Sequence, residues 1–189
     1  RTVLLEPDGS GLARHADLVI DELAPAGAWS GPDYAVLRPE FLGLPPYEGG
    51  RGVFLSFGGG DPAGLAERVE PLVLAEVSVA PGPLNGHAVN MAEQMRKAKL
   101  VVCSQGRTMW EAAACGVPTV TIAANERESR HARCPGMLHL GLHATVTNDQ
   151  IQQAVRTALL NAPLRAEMSA TASRAVDGLG VRRIVHALE

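Results

Sequence analysis

The residues best suited to do chemistry are five polar or small ones, Ser104-Gln105-Gly106-Arg107-Thr108, which separate an apolar run from a helical segment. Free main-chain N–H groups at the amino end of a helix, together with the helix dipole, bind anions, and a glycine lets a ligand approach the backbone. This corner therefore predicts a phosphate site. Arg107 either pairs with such a phosphate or is a solvated surface charge, and the residues alone leave both open.

A βαβ unit is predicted to position this corner. The apolar run Leu100–Cys103 is typical of a strand buried on both faces. The small residues Met109–Cys115 predict a helix, which ends at Gly116-Val117-Pro118, and Thr119–Ile122 is a second β-branched run. Strand, corner, helix and strand thus follow one another closely along the chain.

A second glycine-containing corner lies earlier in the chain. Val53–Phe57 predicts a strand, and Gly58-Gly59-Gly60 predicts a tight turn after it. Asp61 followed by Pro62 is typical of a helix start, with aspartate as N-cap and proline as first helical residue. Asp61 is therefore either a cap or a carboxylate that contacts a substrate.

Alternating strand and helix patterns over the whole chain predict an α/β fold with a doubly wound parallel sheet. A capping box at Thr147-Asn148-Asp149-Gln150 predicts the start of a helix. Residues 25–51 are rich in Pro and Gly and predict a linker, which leaves 1–24 and 52–189 as separate units. The other predicted strands are Thr2–Leu5, Ala16–Ile20, Val77–Ala80 and Ala144–Thr147, and the other predicted helices are Asn90–Ala98, Asp149–Leu160, Leu164–Val176 and Val181–Leu188.

Composition narrows the classes of function. The 189 residues are 46% hydrophobic and 20% charged, which is enough for a packed core. The net charge of -3, without a basic run, argues against nucleic acid as a partner. No apolar run reaches membrane-spanning length, so no membrane partner is expected. Three widely spaced cysteines are typical of reduced thiols in a cytoplasmic protein.

Four segments in order resemble a known family: GPDYAVLRPEF (31–41), VFLSFGGGDP (53–62), NMAEQMRKAKLVVCSQGRTMWEAAACGVPTVTI (90–122) and DGLGVRRIV (177–185). They are similar to the UDP-sugar hydrolase of pseudaminic acid biosynthesis and to its spore-coat polysaccharide relatives. The resemblance covers most of residues 16–188. It implies a GT-B fold, shared with the glycosyltransferase that makes lipid II, in which two Rossmann-like domains face each other.

The resemblance also implies roles for individual residues. The chain resembles the C-terminal, nucleotide-binding domain, and residues 1–24 correspond to a remnant of the N-terminal domain. The main chain around Ala88 would meet the uracil, Glu111 the ribose hydroxyls, and Ser104–Thr108 the diphosphate. Gly58 and Gly59 would line the cleft that faces the sugar, with Asn125 and Glu126 also near the sugar. No cofactor is implied.

Three features depart from the family pattern. The family's catalytic histidine lies in a glycine-rich motif, whereas Gly9-Ser10-Gly11-Leu12 has leucine at that place, so the catalytic residue is unknown. A strand and helix that family members have between Pro81–Asn85 and Asn90 are reduced to a few residues. Gln105 replaces a glycine of the phosphate corner, where its side chain could narrow the site.

Because the chain begins with Arg1 rather than Met, we expect the gene to begin upstream of Arg1, and the sequence leaves open whether an N-terminal partner domain is encoded there.

Simpler interpretations stand beside these roles. Thr108 and Glu111 also fit a capping box, in which Glu111 would accept the Thr108 N–H. Trp110 is predicted to pack in the core rather than to stack on a base. A zinc site is conceivable for His131, Cys134, His139 and His143, although their spacing is irregular.

Three functions compete on these patterns. The chain is the nucleotide-sugar-binding half of a hydrolase that releases UDP from an amino-deoxy sugar for surface glycans, half of a GT-B glycosyltransferase, or a degenerate, non-catalytic interaction domain. Without a recognisable base for activating water, the chain alone is expected to bind nucleotide-sugar weakly and to turn over little.

Overall fold

The computed structural model describes residues 2–5, 11–27, 29–80 and 90–189, and its centre is a parallel sheet. Strands β1 (Val3–Leu5) and β2 (Leu18–Ile20) pair in parallel as a separate two-stranded sheet. The five-stranded sheet has the order β4-β3-β5-β6-β7. Its strands are β3 (Val53–Ser56), β4 (Val77–Val79), β5 (Leu100–Ser104), β6 (Thr119–Ala123) and β7 (Leu138–Leu142). The order reverses at β3, because β4 lies on one side of it and β5 on the other.

Helices cover both faces of this sheet, which confirms the doubly wound α/β prediction. On one face, Phe54, Val101 and Cys103 pack in a core cluster with residues of three helices, 91–97, 107–114 and 162–175. On the other, Leu55 and Val102 pack in a second cluster with residues of the helices 65–69 and 148–160. The α-helices are α1 (Leu65–Val69), α2 (Met91–Lys97), α3 (Arg107–Ala114), α4 (Glu126–Ser129), α5 (Asn148–Leu160), α6 (Ala162–Ala175) and α7 (Gly180–Leu188).

The last strand lies earlier than predicted. Ala144–Thr147 is not a strand: the N–H groups of Thr145 and Val146 both donate to the Leu142 carbonyl in a turn. The observed strand is Leu138–Leu142, and its backbone pairs with β6. The sequence pattern does not reveal this strand, because His139 and Gly141 interrupt the apolar run. The capping box at Thr147 is confirmed, since Thr147 and Gln150 each accept the other's main-chain N–H.

The helix after the triple glycine also begins later than predicted. Helix α1 begins at Leu65, and Gly64 rather than Asp61 precedes it. Asp61 nevertheless satisfies helix donors, because its carboxylate accepts the N–H of Leu65 at 2.9 Å and of Ala66 at 2.8 Å. The prediction of Asp61-Pro62 as N-cap and first helical residue is wrong, because a turn separates them from the helix.

The segment predicted as a linker packs against the domain. It carries two short 3-10 turns, Pro32–Tyr34 and Pro39–Phe41. Ala35, Leu37 and Phe41 are buried in the same core cluster as α2 and α3. Two side chains from this part of the chain contact α3, because Glu22 pairs with Arg107 and Arg38 pairs with Glu111.

Candidate functional site

The candidate site lies at the carboxyl ends of β3, β5 and β6. In open α/β sheets, ligands bind in the crevice at these ends where the strand order reverses. Here that crevice lies between β3 and β5, and a cavity of about 380 Å³ occupies it. The cavity is lined by Leu23, Gly58, Ser104, Gly106, Arg107, Thr108, Asn125, Arg127, Glu128 and His131.

The amino end of α3 forms one wall of this cavity. Gly106 is the N-cap, and glycine has no side chain that could accept a hydrogen bond from the first turn of the helix. A Cβ built on Gly106 would meet only Ser104 Oγ at 3.8 Å and Glu128 Oε1 at 3.9 Å. The Cβ position of Gly106 therefore faces open space, at the end of a helix whose first N–H groups and dipole favour an anion. On the opposite wall, Gly58 turns the chain after β3 with φ +78°, a conformation that favours glycine.

Gln105 points away from the cavity. Its side chain is only 1% exposed, and its Nε2 donates to the His131 carbonyl at 3.2 Å. A second hydrogen bond joins the same two residues, because Nδ1 of the His131 ring lies 2.8 Å from the main-chain carbonyl oxygen of Gln105. The expectation that Gln105 narrows the phosphate corner is therefore not met, because its side chain instead joins the corner to the segment after α4.

Arg107 has a protein partner that neither sequence interpretation anticipated. Its Nε lies 2.9 Å from Oε1 of Glu22, whose side chain is 2% exposed. Glu22 also accepts the main-chain N–H of Val36. Arg107 itself is 58% exposed and lies on the cavity wall, so the ion pair anchors a cation at the edge of the site.

Glu111 faces a second arginine rather than the cavity. Arg38 Nε lies 3.2 Å from Glu111 Oε1, and Arg38 also pairs with Glu40. Burial raises the pKa of Glu111, and the Arg38 guanidinium opposes that rise. The capping-box alternative is wrong, because α3 begins at Arg107 and Thr108 is not its N-cap. Trp110 is 1% exposed and packs in the core, as predicted.

Helix α4, which follows β6, forms another wall of the cavity. Asn125 caps it, with Oδ1 accepting the Glu128 N–H at 2.9 Å. The Glu128 carboxylate folds back to accept the Ala124 N–H at 2.8 Å, which places it on the cavity wall. Glu126 projects into solvent, 3.9 Å from Arg130.

The cavity thus gathers half of the residues singled out from the sequence. Those that line it are Gly58, Ser104, Gly106, Arg107, Thr108 and Asn125. Those that do not line it are Gly59, Asp61, Gln105, Glu111 and Glu126. Ala88 lies outside the described residues.

Sequence reasoning missed four residues of the cavity wall: Leu23, Arg127, Glu128 and His131. Three of them, Arg127, Glu128 and His131, belong to the charged segment directly after Asn125. Because this segment follows the end of β6 in the sequence, its position could have identified them as candidates. Leu23 reaches the site from a distant part of the chain, held there by the hydrogen bond from Ala132 N to its carbonyl at 2.7 Å.

Two of the residues considered for zinc, His131 and His139, have hydrogen-bond partners for their rings. His139 Nδ1 lies 2.7 Å from Thr121 Oγ1, and its Nε2 lies 2.9 Å from the Cys134 carbonyl oxygen. Burial lowers the pKa of His139. Within the described ranges, no three His, Cys, Asp or Glu side chains are grouped closely enough to hold a metal ion. In that same part of the chain, no helix is long and apolar enough to cross a bilayer.

Solved structures similar to this chain share its fold at low sequence identity. The MurG protein of Acinetobacter baumannii superposes with a TM-score of 0.63 at 17% identity, covering 98% of this chain and 65% of MurG. The glycosyltransferase of kitacinnamycin gives 0.57 at 16% identity, covering 96% and 56%. WaaG, a glycosyltransferase of lipopolysaccharide biosynthesis, gives 0.55 at 16% identity, covering 92% and 58%. The chain therefore has the Rossmann-like architecture of GT-B proteins.

Sequence comparison adds one distant relative. An uncharacterized protein of Methanocaldococcus jannaschii is 29% identical over 130 residues, in an alignment that covers 51% of this chain and 27% of the relative. No protein-family model matches the sequence. The chain spans about a quarter of that relative, and between 56% and 65% of the three solved structures.

Proposed function

We propose that this chain is the nucleotide-sugar-binding half of a GT-B enzyme and that the diphosphate of a UDP-sugar binds at Ser104–Thr108. The observation that supports the proposal is the cavity between the ends of β3 and β5, which is lined by the amino end of α3 and by its N-cap glycine, Gly106. Arg107 at the rim adds a cation beside the main-chain donors. Helix N–H groups and a guanidinium are the donors that proteins commonly use for phosphate.

The rest of the ligand extends from this anchor. The sugar lies near Gly58 and Gly59 at the end of β3 and near Asn125 at the end of β6, with Glu126 on the solvent side of it. Asp61 does not contact the ligand in this proposal, because both of its carboxylate oxygens already accept N–H groups of α1.

Glu111 takes the ribose hydroxyls in this proposal, with Arg38 holding its carboxylate in place. The side chain is 17% exposed, so two vicinal hydroxyls can reach it at the surface of α3. By the family resemblance, the main chain around Ala88, outside the described residues, would contact the uracil.

For the whole protein, we propose a hydrolase that releases UDP from an amino-deoxy sugar used in surface glycans. Helix N–H groups would stabilise the departing diphosphate. A glycosyltransferase is the second candidate, favoured by the glycosyltransferases among the similar solved structures. The two differ only in whether water or an acceptor attacks the sugar.

Thermal unfolding with UDP tests the binding proposal. A ligand at about 100 times its dissociation constant stabilises the folded state by about 2.7 kcal/mol. We expect UDP to raise the melting temperature and Glu111→Ala to remove most of the shift. Glu93→Ala is the matched control, since Glu93 is exposed on α2 and pairs with Lys97.

No shift at millimolar UDP would refute the proposal and favour the degenerate interaction domain instead. With UDP binding established, labelled UDP-sugar supplied with and without acceptor separates the two reactions. Free sugar released without acceptor identifies the hydrolase, and product that requires acceptor identifies the transferase.

A further inference from the structure

One cavity residue has chemistry that the proposed diphosphate contacts do not use. His131 lines the cavity together with Gly106 and Arg107. It belongs to the segment after α4, and its ring reaches the corner after β5. An imidazole is the side chain that most readily changes charge near neutral pH.

The hydrogen bond to Gln105 fixes the role of each ring nitrogen. A carbonyl oxygen only accepts hydrogen bonds, so His131 Nδ1, 2.8 Å away, must carry a proton and donate it. In the neutral ring, Nε2 is then the unprotonated nitrogen. It has no hydrogen-bond partner among the residues that the structure describes. The same contact holds the ring in place, supported by the Gln105 amide bonded to the His131 carbonyl.

The charges around the ring are mixed. Arg107 reaches the cavity from α3, with Glu22 from the segment after β2 paired behind it. Arg127 and Glu128 line the cavity from α4. The Glu128 carboxylate accepts the Ala124 N–H and lies on the wall that a phosphate would approach. An anion entering the cavity therefore meets one acidic group as well as two arginines, and a further positive charge would improve its binding.

We propose that His131 takes up a proton when a diphosphate binds and that its Nε2–H then donates to a phosphate oxygen. This inference rests on the proposed function and adds a binding residue to it. The proton comes from solvent and attaches to Nε2, while Nδ1 keeps its hydrogen bond to Gln105. Because the bound anion favours the imidazolium, affinity for the diphosphate rises as pH falls through the neutral range.

Isothermal titration with UDP-N-acetylglucosamine in buffers of different ionisation enthalpy measures this uptake directly. The phosphates of this probe are diesters, so they lack the monoester proton that titrates near pH 6. We expect a fraction of a proton to be taken up per ligand bound near pH 7. Affinity should be several-fold higher at about pH 6 than at about pH 8.5.

His131→Asn is the decisive variant, because an Asn amide can still donate to the Gln105 carbonyl but has no titrating nitrogen. We expect it to abolish proton uptake and to flatten the pH dependence of affinity. His143→Gln is the control, since His143 does not line the cavity, and it should leave both unchanged.

The possible failures are distinguishable. Absence of any ligand binding by the wild-type chain refutes the proposed function itself. Binding without proton uptake, or uptake that persists in His131→Asn, leaves the nucleotide site in place and refutes the role of His131.

Discussion

Replacing Gly106 by alanine places a methyl group where the diphosphate is proposed to bind. The new Cβ would lie 3.8 Å from Ser104 Oγ and 3.9 Å from Glu128 Oε1, both ordinary van der Waals distances. Gly106 has φ -124°, which alanine adopts without strain. Alanine is a poorer N-cap than glycine by up to about 1 kcal/mol. Its smaller unfolded-state entropy offsets about 0.4–1 kcal/mol of that loss. The variant should therefore fold normally, with a melting temperature within roughly 2–4 °C of wild type.

Ligand binding should respond much more strongly than folding. The methyl group takes up space in the cavity beside the amino end of α3, since its two nearest neighbours both line the cavity. We expect at least one hydrogen bond to phosphate to be lost. A hydrogen bond to a charged group contributes about 1.5–3 kcal/mol. That loss corresponds to a roughly 10- to 150-fold weaker affinity for UDP.

Titration calorimetry with UDP measures the affinity, and circular dichroism checks the fold. Gly60→Ala is the matched control: it lies in the neighbouring glycine turn, its added Cβ meets nothing within 4 Å, and it does not line the cavity. A Gly106→Ala variant that binds UDP as tightly as wild type would refute the placement of the diphosphate at this helix end.

Three further predictions concern side chains rather than the main chain at the amino end of α3. Glu22→Ala should lower the free energy of unfolding by about 1–3 kcal/mol, measured by urea denaturation, because it removes the acceptor for Arg107 and for the Val36 N–H. Stability should fall as pH drops below about 6.5, because burial lowers the pKa of His139 and the unfolded chain therefore binds the proton first. His139→Gln should flatten this decline in denaturation curves measured across that range. The three cysteine thiols should resist alkylation at pH 8 in the folded protein and react after denaturation. Burial raises the pKa of Cys115 and of Cys134 to about 12, and it also raises the pKa of Cys103.

Each of these has a contrary outcome. Unchanged stability of Glu22→Ala would mean that the ion pair with Arg107 contributes nothing to folding, and Glu93→Ala serves as its surface control. A decline below pH 6.5 that persists in His139→Gln would assign it to another group. Fast labelling of a native thiol would show that the cluster around Cys103 opens readily.

Local patterns were sufficient for most of the fold. The apolar run at β5 and the β-branched run at β6 predicted two strands that are buried on both faces. Both strands are observed, and each ends one residue beyond the predicted range. The capping box before α5 was correct because its two hydrogen bonds join residues three apart. Prediction failed at β7, where His139 and Gly141 interrupt the apolar run and pairing with β6 decides the strand. It also failed at Asp61, whose carboxylate reaches the helix across a turn.

The sequence by itself determined the alternation of strands and helices, and with it a parallel sheet whose polar corners meet at one edge. Only the tertiary structure decided which side chains share that edge. Arg107 pairs with Glu22 and Glu111 with Arg38, contacts between residues 85 and 73 positions apart. His131 reaches Gln105 from 26 positions away. Hydrophobic periodicity and capping patterns in a sequence reflect interactions between residues only a few positions apart. These long-range contacts form because separate segments of the chain pack over the same strand ends, which local patterns do not specify.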